Sequence, residues 1–374
     1  MQLGAGRGPV GVDVAHPGGT DDEERVEPAV AEHLPDLVGA GVDGTSVGAH
    51  RRLLARGGVG PRGYPCPVLT YRRYRALGDR TLGTAGSVIS SGDVVLVTGA
   101  SGGIGREIVR PVAARGAAVV LVARGEQRLR EVESVAQDAG ARSTYVLPAD
   151  VGDQAAVTAV VEETLERYGR IDAVVNAAGV FACGPVARVP AEVFDAVVRI
   201  NLLGSANVAR ATLPVLARQE RGSLLLFGSL LGHVTAQYLA PYAVSKWGVR
   251  ALARTLEAEY ADTAVRIGYV APSGVDTPIY RRAANYVGHP LRPPPPLVPP
   301  SFVARDVVDF LDGRRRVRLA KPVPRLFHRA ARAGFALLPS PAYDAVAGTM
   351  VTRAGMDRER SADPDPGAVF EPVS

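Results

Sequence analysis

The sequence has few of the features that mark specialised classes of protein. It has only two cysteines in 374 residues, Cys66 and Cys183, which indicates small apolar residues rather than a disulfide framework or a metal site. Its net charge is only +5 and its arginines are scattered, so nucleic-acid binding is not expected. No apolar run reaches the roughly 20 residues of a membrane span, and the first residues show no secretory signal. We expect a cytoplasmic globular protein without a bound metal.

The first 90 residues differ in composition from the rest of the chain. They are rich in Gly, Pro, Ala and Arg and show neither helical nor strand periodicity. We expect residues 1–90 to form a mostly disordered leader, and a start codon downstream of Met1 would account for it. Its histidines, His16, His33 and His50, are interpreted as solvated loop residues.

Regular patterning begins near Asp93, where short apolar runs alternate with longer segments of helical spacing. This order predicts a Rossmann-type α/β fold, a doubly wound parallel sheet that forms one catalytic domain over residues 91–290. The predicted strands are Val94–Val97, Ala118–Val122, Ser143–Pro148, Ala173–Asn176, Ser223–Phe227 and Arg266–Val270. The predicted helices are Gly105–Ala114, Gln127–Ala139, Gln154–Tyr168, Ala191–Arg218 and Tyr242–Tyr260.

The remaining residues predict a proline-rich loop and a helical extension over residues 291–355. A capped helix is expected at Ser301–Leu311, a strand at Arg316–Ala320 and an amphipathic basic helix at Pro324–Leu338. We interpret the basic helix as part of a rim or dimer contact, and the alternative is peripheral contact with an anionic membrane. Residues 356–374 are expected to be a disordered tail.

A glycine-rich segment follows the first predicted strand and leads into a helix. Its glycines have the spacing Gly-x-x-x-Gly-x-Gly, through Gly99, Gly103 and Gly105. Small residues let the backbone approach a diphosphate, and the helix N-terminus offers free N–H groups to its negative charge. The turn therefore predicts a dinucleotide site, with Ser101 and Ile104 in the same segment.

The end of the second strand indicates which dinucleotide binds. Arg124 stands where a doubly wound fold contacts the adenosine ribose. An acidic residue would accept hydrogen bonds from the 2′-hydroxyl, whereas arginine pairs with a 2′-phosphate. We expect NADP(H) in preference to NAD(H). Arg106 could assist, and it could equally be a solvated helix residue.

Tyr242 and Lys246 stand four residues apart, on one face of a predicted helix. A nearby cation brings the high pKa of a tyrosine toward the working range of a general acid or base. The pair is informative because lysine is rare here: only Lys246 and Lys321 are lysines among 43 basic residues. Ser229 follows a buried strand, where ligands of α/β sheets bind, and could orient a substrate oxygen or cap a turn.

These motifs resemble those of the short-chain dehydrogenase/reductase family over residues 92–280. The resemblance implies a catalytic tetrad of Asn201, Ser229, Tyr242 and Lys246, with a water on Asn201 connecting Lys246 to solvent. Independently of the resemblance, Asp150 could be the N-cap of the following helix, and it could have this role as well as a contact with the cofactor. Ser273 departs from the glycine common at that place in the family. The resemblance also implies cofactor contacts through Asp150 and Val151 at the adenine, Asn176, Ala177 and Gly179 after the fourth strand, and Pro272, Val275 and Thr277 beside the nicotinamide.

The resemblance implies an oxidoreductase that transfers a hydride between NADP(H) and a carbonyl or alcohol, with Tyr242 moving the proton. An apolar alcohol or ketone fits the residues expected at the entrance, Ile279, Tyr280, Tyr286 and Leu291. The chain is expected to form a homo-oligomer. The alternative function is a catalytically silent nucleotide-binding sensor or scaffold of the same fold.

Overall fold

A computed structural model of the chain describes residues 89–293, 295–313 and 322–371, with the backbone alone for 322–325. The predicted leader up to residue 88, its histidines and Cys66 lie outside the described residues. The strand expected at Arg316–Ala320 also lies outside them.

The centre of the fold is a six-stranded parallel sheet in the order β3-β2-β1-β4-β6-β7. This order confirms the predicted Rossmann-type doubly wound sheet. The strands are β1 Val94–Thr98, β2 Ala118–Ala123, β3 Ser143–Pro148, β4 Ala173–Asn176, β6 Gly222–Phe227 and β7 Val265–Val270.

Helices cover both faces of the sheet because its inner strands are apolar on both sides. Val94 and Leu96 of β1 belong to one buried cluster, while the alternating Val95 and Val97 belong to the other. The helices of the Rossmann unit are α1 Gly103–Ala113, α2 Glu126–Asp138, α3 Gln154–Tyr168, α4 Ala191–Val198, α5 Gly204–Arg218 and α6 Ala240–Glu259.

The long helix predicted over residues 191–218 is interrupted. A π turn at Arg199–Leu203 separates α4 from α5 and contains Asn201. The side chain of Asn201 bonds both backbone groups of Val180, at 2.8 Å and 3.0 Å. The interruption holds the asparagine against the segment that follows β4.

Two short strands were not predicted from the sequence. β5 Ala182–Cys183 and β8 Ala284–Asn285 pair in parallel outside the main sheet. They connect the segment after β4 with the loop after β7. This pairing brings both loops over the carboxyl edge of the central strands.

Over its described residues the extension forms three α-helices, α7 Pro300–Leu311, α8 Pro322–Leu337 and α9 Ser340–Thr349, and a π turn at Met350–Ala354. Helix α7 starts one residue earlier than expected, and Pro299 at its N-cap has no capping side chain, so the predicted cap is wrong. Helix α8 places Phe335 against Trp247 of α6, with ring centroids 6.1 Å apart. No helix among the described residues is long and apolar enough to cross a membrane.

The expectation of a disordered tail from residue 356 also differs from the structure. Met356 and Val369 are buried, and Asp365 pairs through its backbone with Asn285. Arg124 donates hydrogen bonds to carbonyl oxygens of residues 368–371. The segment is ordered by contacts with distant parts of the chain, up to residue 371.

Candidate functional site

The glycine turn between β1 and α1 is folded too tightly for side chains at two of its glycines. Gly99 has a φ of +66°, and a Cβ there would lie 2.7 Å from the backbone nitrogen of Ala178. A Cβ on Gly105 would collide with the carbonyl oxygen of Gly99. The turn therefore leaves an open backbone surface at the N-terminus of α1, which has no acidic residue in its first turn. Such a surface suits a diphosphate.

Arg282, which sequence reasoning missed, lies over this turn. A Cβ on Gly102 would be 3.8 Å from its Nη1 atom. Burial lowers the pKa of Arg282, and so do the neighbouring charges of Arg128 and Arg281. No carboxylate pairs with the Arg282 guanidinium within the part of the chain that the structure describes. No motif marks this arginine in the sequence, because the loop after β7 brings it there.

The carboxyl ends of β1 and β4 are joined by a chain of side-chain hydrogen bonds. Thr98 donates to Asn176 at 2.6 Å, and Asn176 donates to Ser205 at 2.9 Å. The backbone nitrogen of Ala178 donates to the Thr98 hydroxyl at 3.2 Å. These bonds fix the start of the predicted cofactor segment from Asn176 to Gly179 beside the glycine turn.

Asp150 does not cap the helix that follows it. The N-cap of α3 is Asp153, whose carboxylate accepts from the backbone nitrogens of Ala155 and Ala156, so the alternative interpretation of Asp150 is corrected. Asp150 instead accepts from the nitrogen of Gly152 at 2.8 Å and pairs with Arg199 at 3.3 Å. Val151 beside it is buried, and both residues follow β3 at the carboxyl edge of the sheet.

Tyr242 and Lys246 lie on the buried face of α6, as their spacing predicts. The Lys246 ammonium is 5.6 Å from the centre of the Tyr242 ring and donates to the carbonyl oxygen of Phe227 at 2.9 Å. Phe181 packs edge-on against Tyr242, with ring centroids 4.6 Å apart. The phenol and the ammonium therefore face one small region with few other polar groups.

Burial changes the proton affinity of both groups. It lowers the pKa of Lys246 from 10.5 to about 8, because desolvation disfavours the ammonium. It raises the pKa of Tyr242, while interaction with the Ser229 hydroxyl acts in the opposite direction. Lys246 is thus a weaker base than a free lysine, and it lies close to a phenol that holds its proton more strongly than a free tyrosine.

Asn201 lies directly behind Lys246. Its amide donates to the Ser245 hydroxyl at 3.0 Å. A Cβ on Gly179 would be 3.1 Å from Asn201 Oδ1 and 3.6 Å from Lys246 Nζ, so the glycine leaves a narrow gap between them. The amide oxygen and the ammonium therefore lie on either side of one small space.

Ser229 begins a short 3₁₀ turn after β6. Its hydroxyl accepts from the nitrogen of Leu231 at 3.2 Å, so it does cap a turn, and it also lines the same cleft as Tyr242. The nitrogen of Leu230 donates to Pro272 at 2.8 Å. This bond ties the serine turn to the predicted nicotinamide loop, in which Val275 pairs in a parallel bridge with Val298.

These groups open onto one cleft of about 990 Å³, a volume that includes the solvent at its mouth. Its far wall is apolar and comes partly from the extension, through Leu291 and Val351, and from Met356, which follows the extension. Tyr286 was expected at the entrance but packs against Gly184 instead. The predicted site residues that line the cleft are Ile104, Ala177, Gly179, Ser229, Tyr242, Lys246, Pro272, Val275 and Thr277.

Cys183 also lines the cleft without being a candidate nucleophile. Burial raises the pKa of its thiol to about 12, so the thiol stays protonated at neutral pH. This agrees with its interpretation as a small apolar residue.

Comparison with known proteins assigns the chain to a family. The family model for short chain dehydrogenases matches residues 93–286, more than half of the sequence. The chain therefore belongs to the short-chain dehydrogenase family, as its motifs indicate, and is an oxidoreductase of that family.

Similar proteins come from bacteria and archaea. An uncharacterized oxidoreductase of Staphylococcus saprophyticus is 35% identical over 186 residues, which are 50% of this chain and 80% of the relative. The structure of an alcohol dehydrogenase from Thermococcus sibiricus, complexed with 5-hydroxy-NADP, is 30% identical with a TM-score of 0.53. That match covers 60% of this chain and 94% of the other. A metagenomic short-chain oxidoreductase in complex with NADP is 30% identical with a TM-score of 0.54, covering 63% and 100% of the two chains.

Proposed function

We propose that the protein transfers a hydride between NADP(H) and a carbonyl or alcohol substrate, with Tyr242 as the general acid or base. The observation that carries this proposal is the convergence of Tyr242, Lys246 and Ser229 on a cleft that also contains residues of the glycine turn and the nicotinamide loop. A silent nucleotide-binding protein would have no use for an ammonium buried beside a phenol, so turnover is favoured over the sensor alternative.

The chain's own residues supply position and proton transfer. Ser229 holds the substrate oxygen, and the Tyr242 phenol donates its proton to that oxygen during reduction or accepts it during oxidation. Lys246 stabilises the phenolate and binds the nicotinamide ribose, and a water held by Asn201 returns protons through it. When bound, the nicotinamide would supply the hydride for reduction or accept it during oxidation.

NADP is proposed over NAD because the adenosine end of the site is rich in arginine. Arg124 directly follows β2, which contains no acidic residue that could accept hydrogen bonds from a ribose 2′-hydroxyl. Arg282, together with Arg128 and Arg281, places further positive charge at the glycine turn. Two of the structural relatives were crystallised with NADP or a derivative of it, which supports the same choice.

The substrate is proposed to be an apolar ketone or secondary alcohol. Phe181, Leu239 and Tyr280 line the cleft around Tyr242, and Leu291 and Met356 complete the wall. Assembly of identical chains is part of the proposal, with Leu203 and Val244 as exposed apolar side chains near α6.

Substitution of Tyr242 by phenylalanine tests the proposal. The Tyr242→Phe chain should lose turnover of an apolar ketone by about 10²–10⁴-fold while its Kd for NADPH stays within about twofold, because only the proton donor is removed. Tyr260→Phe, at the end of α6 and away from the cleft, is the matched control and should keep full activity. Normal turnover by Tyr242→Phe would contradict the assigned role.

A further inference from the structure

The end of the chain returns to the edge of the nucleotide site. The C-terminal segment, defined as residues 366–371, follows the backbone pairing of Asp365 with Asn285. The nitrogen of Ala368 then donates to the carbonyl oxygen of Arg282 at 2.8 Å. The segment is therefore attached to the loop whose arginine lies over the glycine turn.

The C-terminal segment surrounds the guanidinium of Arg124 with carbonyl oxygens. Nη2 donates to Ala368 at 2.5 Å and to Glu371 at 3.3 Å. Nη1 donates to Val369 at 2.8 Å and to Phe370 at 3.1 Å. Both terminal nitrogens, which could otherwise hold a phosphate, thus bind the chain's own backbone.

The apolar part of the C-terminal segment is buried at the same end of the sheet. Val369 is completely inaccessible to solvent and belongs to the apolar cluster that includes Val122 of β2 and Val151. Asp150, beside Val151, is close enough to Arg124 to affect the pKa of its guanidinium. The C-terminal segment therefore occupies Arg124, which is proposed to bind the adenosine ribose, and shares an apolar cluster with Val151.

We propose that the adenosine end of the nucleotide site is a binding site for the chain's own C-terminal segment, which competes there with the dinucleotide. This inference rests on the proposed function. The segment occupies the Arg124 guanidinium where a 2′-phosphate would bind, and it buries Val369 in the apolar cluster that also contains Val122 and Val151.

The nucleotide can displace the segment because of the difference in charge. Backbone carbonyls are neutral acceptors, whereas a 2′-phosphate makes charge-assisted hydrogen bonds to a guanidinium, which are about twice as strong. Any adenine nucleotide must first release the segment, so the apparent Kd of every such ligand equals its intrinsic Kd divided by the fraction of chains in which the site is open. A substitution that weakens binding of the segment to the site should lower the apparent Kd of every adenine nucleotide by one common factor.

Calorimetric titration of the full chain with 2′,5′-ADP and with 5′-AMP tests the inference without using turnover. Val369→Gly removes the buried side chain but keeps the carbonyl acceptors, and it should tighten both nucleotides by the same factor, about tenfold if the closed state dominates. Phe370→Ala is the matched control, because that neighbouring side chain is 46% exposed, and it should leave both Kd values unchanged.

The outcomes separate this inference from the proposed function. If both nucleotides bind and Val369→Gly fails to tighten them, or weakens them, the competition is overturned while the nucleotide site stands. If neither nucleotide binds any of the three chains, the nucleotide site itself is contradicted and the competition with it.

Hydrogen exchange of the unmodified protein gives a second test that needs no variant. The amide of Ala368 is hydrogen-bonded to Arg282, so it should exchange slowly in the free protein. Saturating NADP should speed exchange in peptides that contain residues 366–371. Slower exchange on adding NADP would mean that the segment closes over the nucleotide, and it would overturn the inference.

Discussion

The guanidinium of Arg124 lies 2.8 Å from the carbonyl oxygen of Val369, although 245 positions separate the two residues in the chain. The contact joins the end of β2 to the last residues that the structure describes. Residues beyond the Rossmann unit therefore reach two parts of the candidate site: Leu291, Val351 and Met356 line the cleft, and the C-terminal segment contacts Arg124.

Gly105→Ala should destabilise the fold. The new Cβ would overlap the carbonyl oxygen of Gly99, so the turn must open, and we expect a loss of about 2–4 kcal/mol in the free energy of unfolding. Gly102→Ala is the matched control: its φ of −173° is extended, and the nearest atom is 3.8 Å away, on the end of a flexible arginine. Urea unfolding of both variants measures the difference, and equal losses would contradict the tight turn.

Arg282→Gln should weaken binding of the diphosphate specifically. We expect the Kd of ADP to rise about 5–10-fold and that of adenosine to stay constant, because the lost interaction is charge-assisted. Arg281→Gln removes the same charge from the exposed neighbouring residue and should have a smaller effect. Calorimetry at low and high salt checks this, since added salt screens an exposed charge more than one held against the ligand.

Lys246→Met should stabilise the protein at neutral pH. The folded pKa of Lys246 is about 8, below the unfolded value of 10.5, so the unfolded chain binds more protons between these pH values. Burying the ammonium therefore lowers the free energy of unfolding by its largest amount below pH 8, and this loss decreases to nothing as the pH rises to 10.5.

We expect Lys246→Met to gain about 1–2 kcal/mol at pH 7, after its lost hydrogen bond is counted, and little at pH 10.5. Urea unfolding at pH 7, 9 and 10.5 measures the trend. If the two proteins differ in free energy of unfolding by the same amount at every pH, the buried ammonium is not the source of the difference. Turnover should be lost in the same variant.

Met356→Ala should raise the KM for an apolar ketone about tenfold, because loss of a buried side chain removes on the order of 1–2 kcal/mol of apolar contact. Met356 is 6% exposed and lines the cleft next to Leu291, with which it forms an antiparallel bridge. The Kd for NADPH should not change. Met350→Ala, whose side chain does not line the cleft, is the control, and an equal rise in KM there would contradict the specific contact.

The central sheet could be predicted from the sequence because its strands are short and mostly apolar. Residues 94–97, for example, are all buried, and a continuous apolar strand is typical of a sheet covered on both faces. Tyr242 and Lys246 could be selected because helical spacing fixes their common face and because lysine is so rare in this chain.

Features that depend on distant contacts could not be predicted. Residues 356–371 are rich in charged residues and contain two prolines, a composition typical of disorder, and they are ordered by contacts with Arg124 and with residues 282–285. Arg282 likewise has no local signal. Its role depends on where β8 places the loop after β7.

The π turn at Arg199–Leu203 contains one residue more than an ordinary helical turn would. Deleting any one of its five residues would restore a continuous α-helix and rotate everything before the deletion by about 100° relative to everything after it. Asn201 would then turn away from Val180, or α5 would turn its buried face away from the sheet. The number of residues in the π turn is therefore fixed, because losing a single one would misplace either Asn201 or α5.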